Sequence, residues 1–319
     1  MGARIFIDGE AGTTGLQIRA RLAARRDVTV VSLEEARRKD LAARAELLNG
    51  VDLVVLCLPD EAAITAVSLI TNPNVRVIDA STAHRVAPGW TYGFPELAPG
   101  QAALIARSKR VANPGCYPTG AIALLRPLIA GGLVPADFPL TVNAVSGYSG
   151  GGKHLIEQYQ DPHSTDPLTA PFWIYGLGLD HKHVAELQVH GLLKARPLFV
   201  PSVGRFAQGM LVQVPLQLWA LPGKPRVTDI HAALVDAYRG QTFVSVASLQ
   251  ESAACARLEA ETYNDTNEMK LHCFGNEQHA QVVLVAVLDN LGKGASGAVV
   301  QNLNLMLNLA ESGAPSLVT

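Results

Sequence analysis

The sequence has few charged residues, few cysteines and no long apolar run. Only 17% of its 319 residues are charged and the formal net charge is -2, so it lacks the basic surface with which proteins hold nucleic acid or an anionic membrane. No apolar stretch reaches the roughly 18 residues that a membrane-spanning helix needs. The four cysteines are widely spaced and form no C-x-x-C pair, which argues against a disulfide framework and a zinc ribbon.

The N-terminal residues also lack a charged segment followed by an apolar segment and a cleavage site, the pattern of a secretory leader. We therefore expect a cytoplasmic enzyme that acts on a small molecule, with no nucleic acid, membrane or metal among its partners. Hydrophobic residues make up 48% of the chain, which is typical of globular proteins, and the length predicts two domains.

Apolar strands alternate with helices over the first 115 residues. Strands are predicted at 4–8, 28–33, 53–58 and 75–78, and helices at 15–25, 41–48 and 62–70. In the first helix we expect Leu16, Ile18 and Leu22 to face inward. Continuous apolar strands separated by helices indicate a parallel sheet covered on both faces, and a Rossmann-type, doubly wound nucleotide-binding domain.

Longer strands dominate after residue 115. They are predicted at 139–145, 198–200, 210–218, 242–246 and 281–288, with helices at 117–129, 184–193, 228–238 and 298–309. This pattern predicts a second, α+β domain built on a large mixed or antiparallel sheet. The boundaries are predicted near residues 115 and 293.

Residues 9–15, GEAGTTG, lie directly between the first strand and the first helix. Glycines in this position allow a tight turn, the approach of a pyrophosphate and close packing of helix on sheet, while the helix N-terminus offers amide donors. We predict cofactor contacts along this turn, at Gly9, Ala11, Gly12, Thr13, Thr14 and Gly15. A purely structural strand-to-helix turn is the alternative.

The end of the second strand favours NADP over NAD. NAD enzymes usually carry an acid at this position, whereas here Ser32 is followed by Arg37 and Arg38, which suit a 2′-phosphate. Glu34 or Glu35 would supply the acid if the strand ended two residues later, and the arginines would equally suit a solvated helix face. Cofactor contacts are also predicted where the third strand ends, at Cys57, Leu58 and Pro59.

Cys116 follows a Pro-Gly turn and opens a predicted helix. Free amides at a helix start favour a thiolate and can stabilise an oxyanion on a carbonyl that the sulfur attacks. We interpret Cys116 as the nucleophile and the other three cysteines as inert, Cys116 as a buried filler being the alternative. His181 and His183 form a His-x-His pair, one imidazole of which is predicted to exchange a proton with the substrate oxygen or the thiol. A pair of surface histidines at a helix start is the alternative. A His-x-His pair can also bind a metal, but no cluster of cysteine, histidine, aspartate or glutamate lies beside this pair to supply a third ligand.

Two further segments are predicted to meet the anionic ligands. Residues 146–154, SGYSGGGKH, follow a strand and can wrap an anion; we predict cofactor contact at Gly147 and substrate contact at Ser149, Gly150 and Lys153. A flexible hairpin loop is the alternative. In DASTAHR, residues 79–85, Ser81 is predicted to contact the cofactor and Arg85 the substrate.

Together these segments resemble the N-acetyl-gamma-glutamyl-phosphate reductases of the shorter bacterial type, along essentially the whole chain. The matching segments are GEAGTTG, DASTAHR, YGFPEL (92–97), NPGCYPTG (113–120), SGYSGGGK, HKHVAEL (181–187) and NLGKGASGAVVQNLNLM (290–306). The resemblance implies the NADPH-dependent reduction of N-acetylglutamyl 5-phosphate to the 5-semialdehyde, in arginine biosynthesis. It also implies the fold of the aspartate-semialdehyde dehydrogenase superfamily and a homo-oligomer, dimer or tetramer, joined through the second domain's sheet.

Residue by residue, the resemblance implies that Cys116 is the nucleophile and that His183, slightly favoured over His181, is the acid–base. It places Asn302 near the nicotinamide, so the last segment rejoins the cofactor domain. We therefore predict an NADP-binding domain of residues 1–115 and 294–319 and a catalytic, substrate-binding and oligomerisation domain of residues 116–293.

Three alternatives stay open. The same chemistry would serve aspartyl phosphate or N-acetylaminoadipyl phosphate. A non-catalytic sensor of NADP redox state would need neither the cysteine nor the histidines, and a thiol hydrolase would not need the glycine turn.

Overall fold

The structure, a computed structural model, describes residues 2–38 and 40–310, and the chain divides into two compact units. The first unit comprises the chain up to Pro95, Pro99–Pro114 and the chain from Ala295 onward, and the second comprises Glu96–Ala98 and Gly115–Gly294. Met1, Lys39 and residues 311–319 lie outside the described residues.

The helices and strands follow one another in a regular alternation in the first third of the chain. They are β1 (Ala3–Asp8), α1 (Thr13–Ala23), β2 (Val28–Val31), α2 (Leu41–Asn49), β3 (Leu53–Leu56), α3 (Asp60–Ser68), β4 (Arg76–Asp79), β5 (Thr91–Tyr92), α4 (Gln101–Arg107) and β6 (Arg110–Ala112). The rest are α5 (Cys116–Ala130), β7 (Thr141–Gly147), α6 (Gly152–Gln160), β8 (Phe172–Ile174), α7 (His183–His190), β9 (Leu198–Gly204), β10 (Met210–Gln217), α8 (Val227–Ala237), β11 (Val244–Val246), α9 (Leu249–Ala254), β12 (Met269–Asn276), β13 (Gln281–Leu288) and α10 (Gly297–Leu307).

The first unit is built on a parallel sheet in the order β2-β1-β3-β4-β6-β5. Side chains alternate between its two faces, as a strand requires. Ile5 and Ile7 join a core with residues of α1, α4 and α10, whereas Phe6 joins a second core with residues of α2 and α3. The apolar strands are therefore covered on both sides, and the predicted doubly wound arrangement is confirmed.

The second unit is built on a mixed sheet in the order β11-β12-β13-β10-β7-β9-β8. Its pairs are antiparallel except β11 with β12 and β7 with β9, which are parallel. Helix α5 packs on this sheet closely enough that a Cβ on Gly120 would lie 2.9 Å from a Val212 methyl. The predicted fold class, a Rossmann-type sheet followed by an α+β unit with a large mixed sheet, is confirmed.

Two details of the sequence-based interpretation are wrong. Leu16 faces solvent with 56% of its surface exposed, while Ile18 and Leu22 are buried. The last two are four residues apart and share a helix face, whereas Leu16 lies two residues before Ile18 and therefore on the opposite side. The glycine-rich residues 148–151 form a 3-10 turn that leads into α6, so the alternative of a flexible hairpin loop is wrong.

Within the described residues no helix is long and apolar enough to cross a membrane.

Candidate active site

The glycine turn of the first unit is compact and leaves the start of α1 open. Gly9 has a φ of +91°, and a Cβ there would lie 2.3 Å from the Cys57 carbonyl oxygen. A Cβ on Gly15 would lie 2.5 Å from the Gly9 carbonyl oxygen, while Gly12 would accept a Cβ at ordinary contact distance. Gly12 also caps α1 without a side chain, so Thr13 and Thr14 begin the helix with amides free for an anion. The turn therefore fits a dinucleotide pyrophosphate.

A cluster of charged side chains gathers around Glu10, inside this turn. The Glu10 carboxylate accepts hydrogen bonds from Arg19 at 2.6 Å, from the Ser32 hydroxyl at 2.8 Å and from Arg38 at 3.0 Å. Ser32 and Arg38 thus lie together, as the sequence predicts, and Arg19 joins them. Arg37 instead lies 3.9 Å from Asp40.

Polar residues at the ends of β3 and β4 are engaged with their own unit. The Ser81 amide and hydroxyl both donate to the buried Asp79 carboxylate, at 2.9 and 2.7 Å. Arg85 donates to the carbonyl oxygens of Asn113 and Ala80, each at 3.1 Å. These bonds give Ser81 and Arg85 a role in holding the loops after the strands. Leu58 and Pro59, which follow Cys57, lead from β3 into α3.

Asn302 of α10 is fully buried and presents an acceptor. Its amide nitrogen donates to the Gly93 carbonyl at 2.8 Å and to the Asn113 side-chain oxygen at 3.1 Å. Its side-chain oxygen has no hydrogen-bond partner among the described residues. A buried acceptor without a donor is costly, so this oxygen fits the carboxamide N–H of a bound nicotinamide.

Cys116 is the first residue of α5, and Gly115 caps that helix without a side chain. The buried Glu186 carboxylate of α7 accepts a hydrogen bond from the Gly115 amide at 2.7 Å, which fixes the turn before the cysteine. Cys116 is half-buried and therefore accessible from one side. Its position at a helix N-terminus favours a thiolate.

Two of the other cysteines are poor nucleophiles. Burial, together with the charges of Asp79 and Asp8, raises the pKa of the Cys57 thiol to about 12. Burial raises the pKa of the Cys273 thiol to about 12 as well. Both therefore stay protonated at neutral pH, in agreement with the sequence-based interpretation that they are inert.

The two predicted histidines lie beside the aromatic ring that follows Cys116. The His183 amide donates to Nδ1 of His181 at 3.1 Å, and the two rings are 4.7 Å apart. The Tyr117 ring centroid lies 6.4 Å from that of His181 and 5.9 Å from that of His183. The structure thus brings the helix that Cys116 opens and both histidines to one place in the second unit. Since Nδ1 of His181 is an acceptor, its Nε2 carries the proton when the ring is neutral.

Tyr175 is a neighbour of the cysteine that the sequence does not reveal. Its hydroxyl donates to the Tyr117 hydroxyl at 3.2 Å, which donates to the Ser202 carbonyl at 3.0 Å. Burial raises the pKa of Tyr175 to about 12, and the nearby negative charge of a Cys116 thiolate adds to this rise. Tyr175 therefore stays neutral and forms a polar wall beside the sulfur.

A buried segment after β13 supports the cysteine from the other side. A Cβ on Gly294 would lie 2.9 Å from the Cys116 Cβ, so only glycine allows this approach. Lys293 donates to both carboxylate oxygens of Glu96 at 2.8 Å, and their side chains are only 1% and 2% exposed. The segment forms a π-helical turn, Gly292–Ser296, a distortion frequent at functional sites.

The same segment orders part of the predicted substrate loop. The Asn290 side chain donates to the Ser149 hydroxyl at 3.0 Å and accepts from the Gly209 amide at 2.7 Å. Gly147 packs closely against Ala207, since a Cβ on Gly147 would lie 2.6 Å from the Ala207 carbonyl oxygen. Ser149 is buried next to Gly150.

Lys153 lies apart from this buried network. It is the second residue of α6, with its side chain 79% exposed and its ammonium 3.5 Å from the Glu157 carboxylate. Among the described residues, no group of three or more histidine, cysteine, aspartate or glutamate side chains could hold a metal ion.

Comparisons with known proteins match both units of the chain to one family. A family model described as "Semialdehyde dehydrogenase, NAD binding domain" matches residues 15–105, and one described as "Semialdehyde dehydrogenase, dimerisation domain" matches residues 116–290. Curated relatives from Brucella ovis and Brucella suis biovar 1, each named N-acetyl-gamma-glutamyl-phosphate reductase, are 59% identical over 96% of this chain and 99% of their own.

Solved structures share the fold at low sequence identity. Aspartate semialdehyde dehydrogenase II from Vibrio cholerae matches with a TM-score of 0.72 at 14% identity, covering 97% of this chain and 99% of that one. The enzyme from Francisella tularensis matches with a TM-score of 0.71 at 14% identity, covering 96% of this chain and all of that one.

Alkylation should separate Cys116 from the buried thiols. With iodoacetamide near pH 8, we expect Cys116 to be modified while Cys57 and Cys273, whose pKa values are about 12, stay unmodified. Peptide mapping by mass spectrometry measures this, and protein unfolded in guanidinium is the control in which all sites react. Modification of Cys57 or Cys273 as fast as Cys116 in the folded protein would contradict the assignment.

Removing the buried Glu96 carboxylate should destabilise the protein. In Glu96→Gln the Lys293 ammonium stays buried without its counter-charge, so we expect the free energy of unfolding to fall by about 3–5 kcal/mol. Denaturant titration measures the change. Glu157→Gln, which breaks the exposed pair with Lys153, is the matched control and should cost less than about 1 kcal/mol. Equal effects of the two substitutions would refute the role given to the buried pair.

Proposed function

We propose that this chain, which belongs to the semialdehyde dehydrogenase family and within it to the N-acetyl-gamma-glutamyl-phosphate reductases, reduces N-acetyl-L-glutamyl 5-phosphate to N-acetyl-L-glutamate 5-semialdehyde and releases phosphate. The reaction is a step of arginine biosynthesis. The 59% identity with reductases of that name, over nearly their full length, supports the substrate. Cys116 at the start of α5, with both histidines close to its helix, is the observation that carries the chemistry.

The residues of the first unit fit a nicotinamide dinucleotide, and we assign NADP as the cofactor. The glycine turn and the start of α1 would hold the pyrophosphate, and the Asn302 side-chain oxygen would accept from the carboxamide. Ser32 and Arg38, which lie together at the end of β2, support a 2′-phosphate over a plain ribose hydroxyl. When bound, the cofactor supplies the hydride that reduces the acyl group.

In the proposed mechanism the Cys116 thiolate attacks the acyl carbon and phosphate leaves, which gives a thioester on the sulfur. Amides at the N-terminus of α5 stabilise the oxyanion that forms at the carbonyl in each tetrahedral stage. After reduction the carbon–sulfur bond breaks and frees the aldehyde together with the thiolate. Tyr175 excludes water from one side of the sulfur and stays neutral throughout, because its pKa is about 12.

A histidine manages the protons of these steps. We assign His183 as the acid–base, since it is buried at the first position of α7, the helix whose Glu186 also fixes the turn before Cys116. His181 then orients the start of that helix by accepting the His183 amide. Among the residues predicted to bind substrate, we assign Ser149 and Gly150 to the phosphate. Arg85 donates to the Asn113 carbonyl and Lys153 pairs with Glu157, and these contacts give less support to substrate binding by either residue.

We further propose that the enzyme works in the cytoplasm as a homo-oligomer, a dimer or tetramer. The match of residues 116–290 to a dimerisation domain supports association through the mixed sheet. Exposed apolar side chains on and near its edge strand β8, including Phe172 and Ile174, are consistent with this.

The function is tested by following NADPH formation with N-acetylglutamate semialdehyde, NADP and phosphate, the reverse reaction. We expect turnover with the wild-type protein and none with Cys116→Ser, because a hydroxyl at that position is a far weaker nucleophile. Turnover only with aspartate or N-acetylaminoadipate semialdehyde would overturn the substrate but keep the mechanism. No turnover with any of the three aldehydes would refute the dehydrogenase assignment.

Exchange of each histidine separates their roles. His183→Asn should lower kcat by about 10²–10⁴-fold and remove one limb of the pH–rate profile, as loss of an acid–base does. His181→Asn should lower kcat less and keep the shape of the profile. The rate of Cys116 alkylation reports whether the site remains folded. A preserved profile in His183→Asn, together with a lost limb in His181→Asn, would reverse the assignment.

A further inference from the structure

The Glu10 carboxylate occupies the position at which Rossmann-type enzymes distinguish the two nicotinamide cofactors. Ser32 directly follows β2, at the place where NAD enzymes carry the acid that holds the ribose 2′-hydroxyl. Here the acid comes from the loop after the neighbouring strand β1, and it accepts the Ser32 hydroxyl at 2.8 Å. The sequence position at which this acid is usually found therefore holds Ser32, while the carboxylate of Glu10 lies beside that serine.

The donors around Glu10 are those that a phosphate would use. Arg19 approaches at 2.6 Å, Arg38 at 3.0 Å, and Arg19 also donates to the Ser32 oxygen at 2.8 Å. The carboxylate is 11% exposed, whereas the two arginine side chains are 51% and 41% exposed. The guanidinium groups are thus reachable from solvent while Glu10 holds them from within.

We propose that Glu10 is a specificity-determining residue that competes with the 2′-phosphate of NADP for Arg19, Arg38 and Ser32, and that it accepts the ribose 2′-hydroxyl when NAD is bound. The proposal rests on the dinucleotide site proposed above. It assigns Arg19, on the second turn of α1, to the 2′-phosphate subsite. Glu10 consequently narrows the preference for NADP and allows use of NAD.

The charges support this competition. Two guanidinium groups and one carboxylate leave the cluster with a charge of +1, and a 2′-phosphate brings nearly -2. With Glu10 neutralised, the cluster would hold +2 and match the phosphate. Beside a phosphate that carries nearly -2, a unit charge about 6 Å away, at the dielectric constant of water of about 80, changes the binding constant by about tenfold.

Binding of cofactor fragments to the full chain tests the proposal. We would titrate adenosine 2′,5′-bisphosphate and adenosine 5′-monophosphate, along with NADPH and NADH, by calorimetry and nucleotide fluorescence. Glu10→Gln should bind the bisphosphate and NADPH about tenfold more tightly and NADH several-fold more weakly. Arg19→Gln should weaken the bisphosphate about tenfold and leave the monophosphate unchanged. Glu46→Gln is the matched control, because this exposed acid lies on α2 of the same unit, and it should change the binding of neither ligand.

Each outcome decides the matter. Unchanged or weaker bisphosphate binding in Glu10→Gln would mean that the carboxylate only supports the arginines, which overturns the proposal. Unchanged binding of the bisphosphate in Arg19→Gln would remove Arg19 from the 2′-phosphate subsite. The Arg19→Gln variant also keeps the proposal testable if Glu10→Gln unfolds in a thermal melt. Failure of the wild-type protein to bind either NADPH or NADH would instead refute the proposed function.

Discussion

Cys116, which we propose as the nucleophile, lies where three segments of the chain meet at the first turn of α5. Gly115 caps this helix without a side chain, and the helix N-terminus favours the thiolate form of the cysteine. The turn is held by Glu186 from a helix about 70 residues further along the chain, and Gly294 closes against the cysteine with no room for a Cβ. In the proposed mechanism a shift of the sulfur by even about 1 Å would weaken its alignment with the acyl carbon, so the mechanism depends on this packing.

Polar groups buried behind the cysteine fix this arrangement at some cost in stability. Burial raises the pKa of the Asp289 carboxyl, although amide N–H groups of Leu291 and Asp265 donate to it. Lys293 and Glu96 neutralise each other in the same region. Apolar residues of similar size would pack there more cheaply. The polar groups instead specify one path for the segment that meets Cys116, because each of them is satisfied by a single geometry.

The cofactor end shows how far sequence patterns reach. The glycine spacing of residues 9–15, set between a strand and a helix, indicated a tight strand-to-helix turn, and the structure contains it, since such a turn is a local structure. The sequence did not indicate a role for Glu10, the acid in the same turn. The role proposed for it depends on its contacts with Ser32 and Arg38, which come from the segment after β2. The sequence likewise did not distinguish Arg19 from the other arginines of the same predicted helix.

The sequence by itself determined the alternation of strands and helices, the fold class, and the residues whose chemistry is local: the glycine turn and a cysteine at a helix start. These depend on periodicity and on neighbours a few residues apart, which a sequence displays directly. Tertiary structure alone decided the surroundings. Tyr175 and Glu186 lie at Cys116 or its turn, and Lys293 pairs with Glu96, through contacts between residues that are distant in the chain. Contacts of this kind produce no regular spacing in the sequence from which they could be predicted.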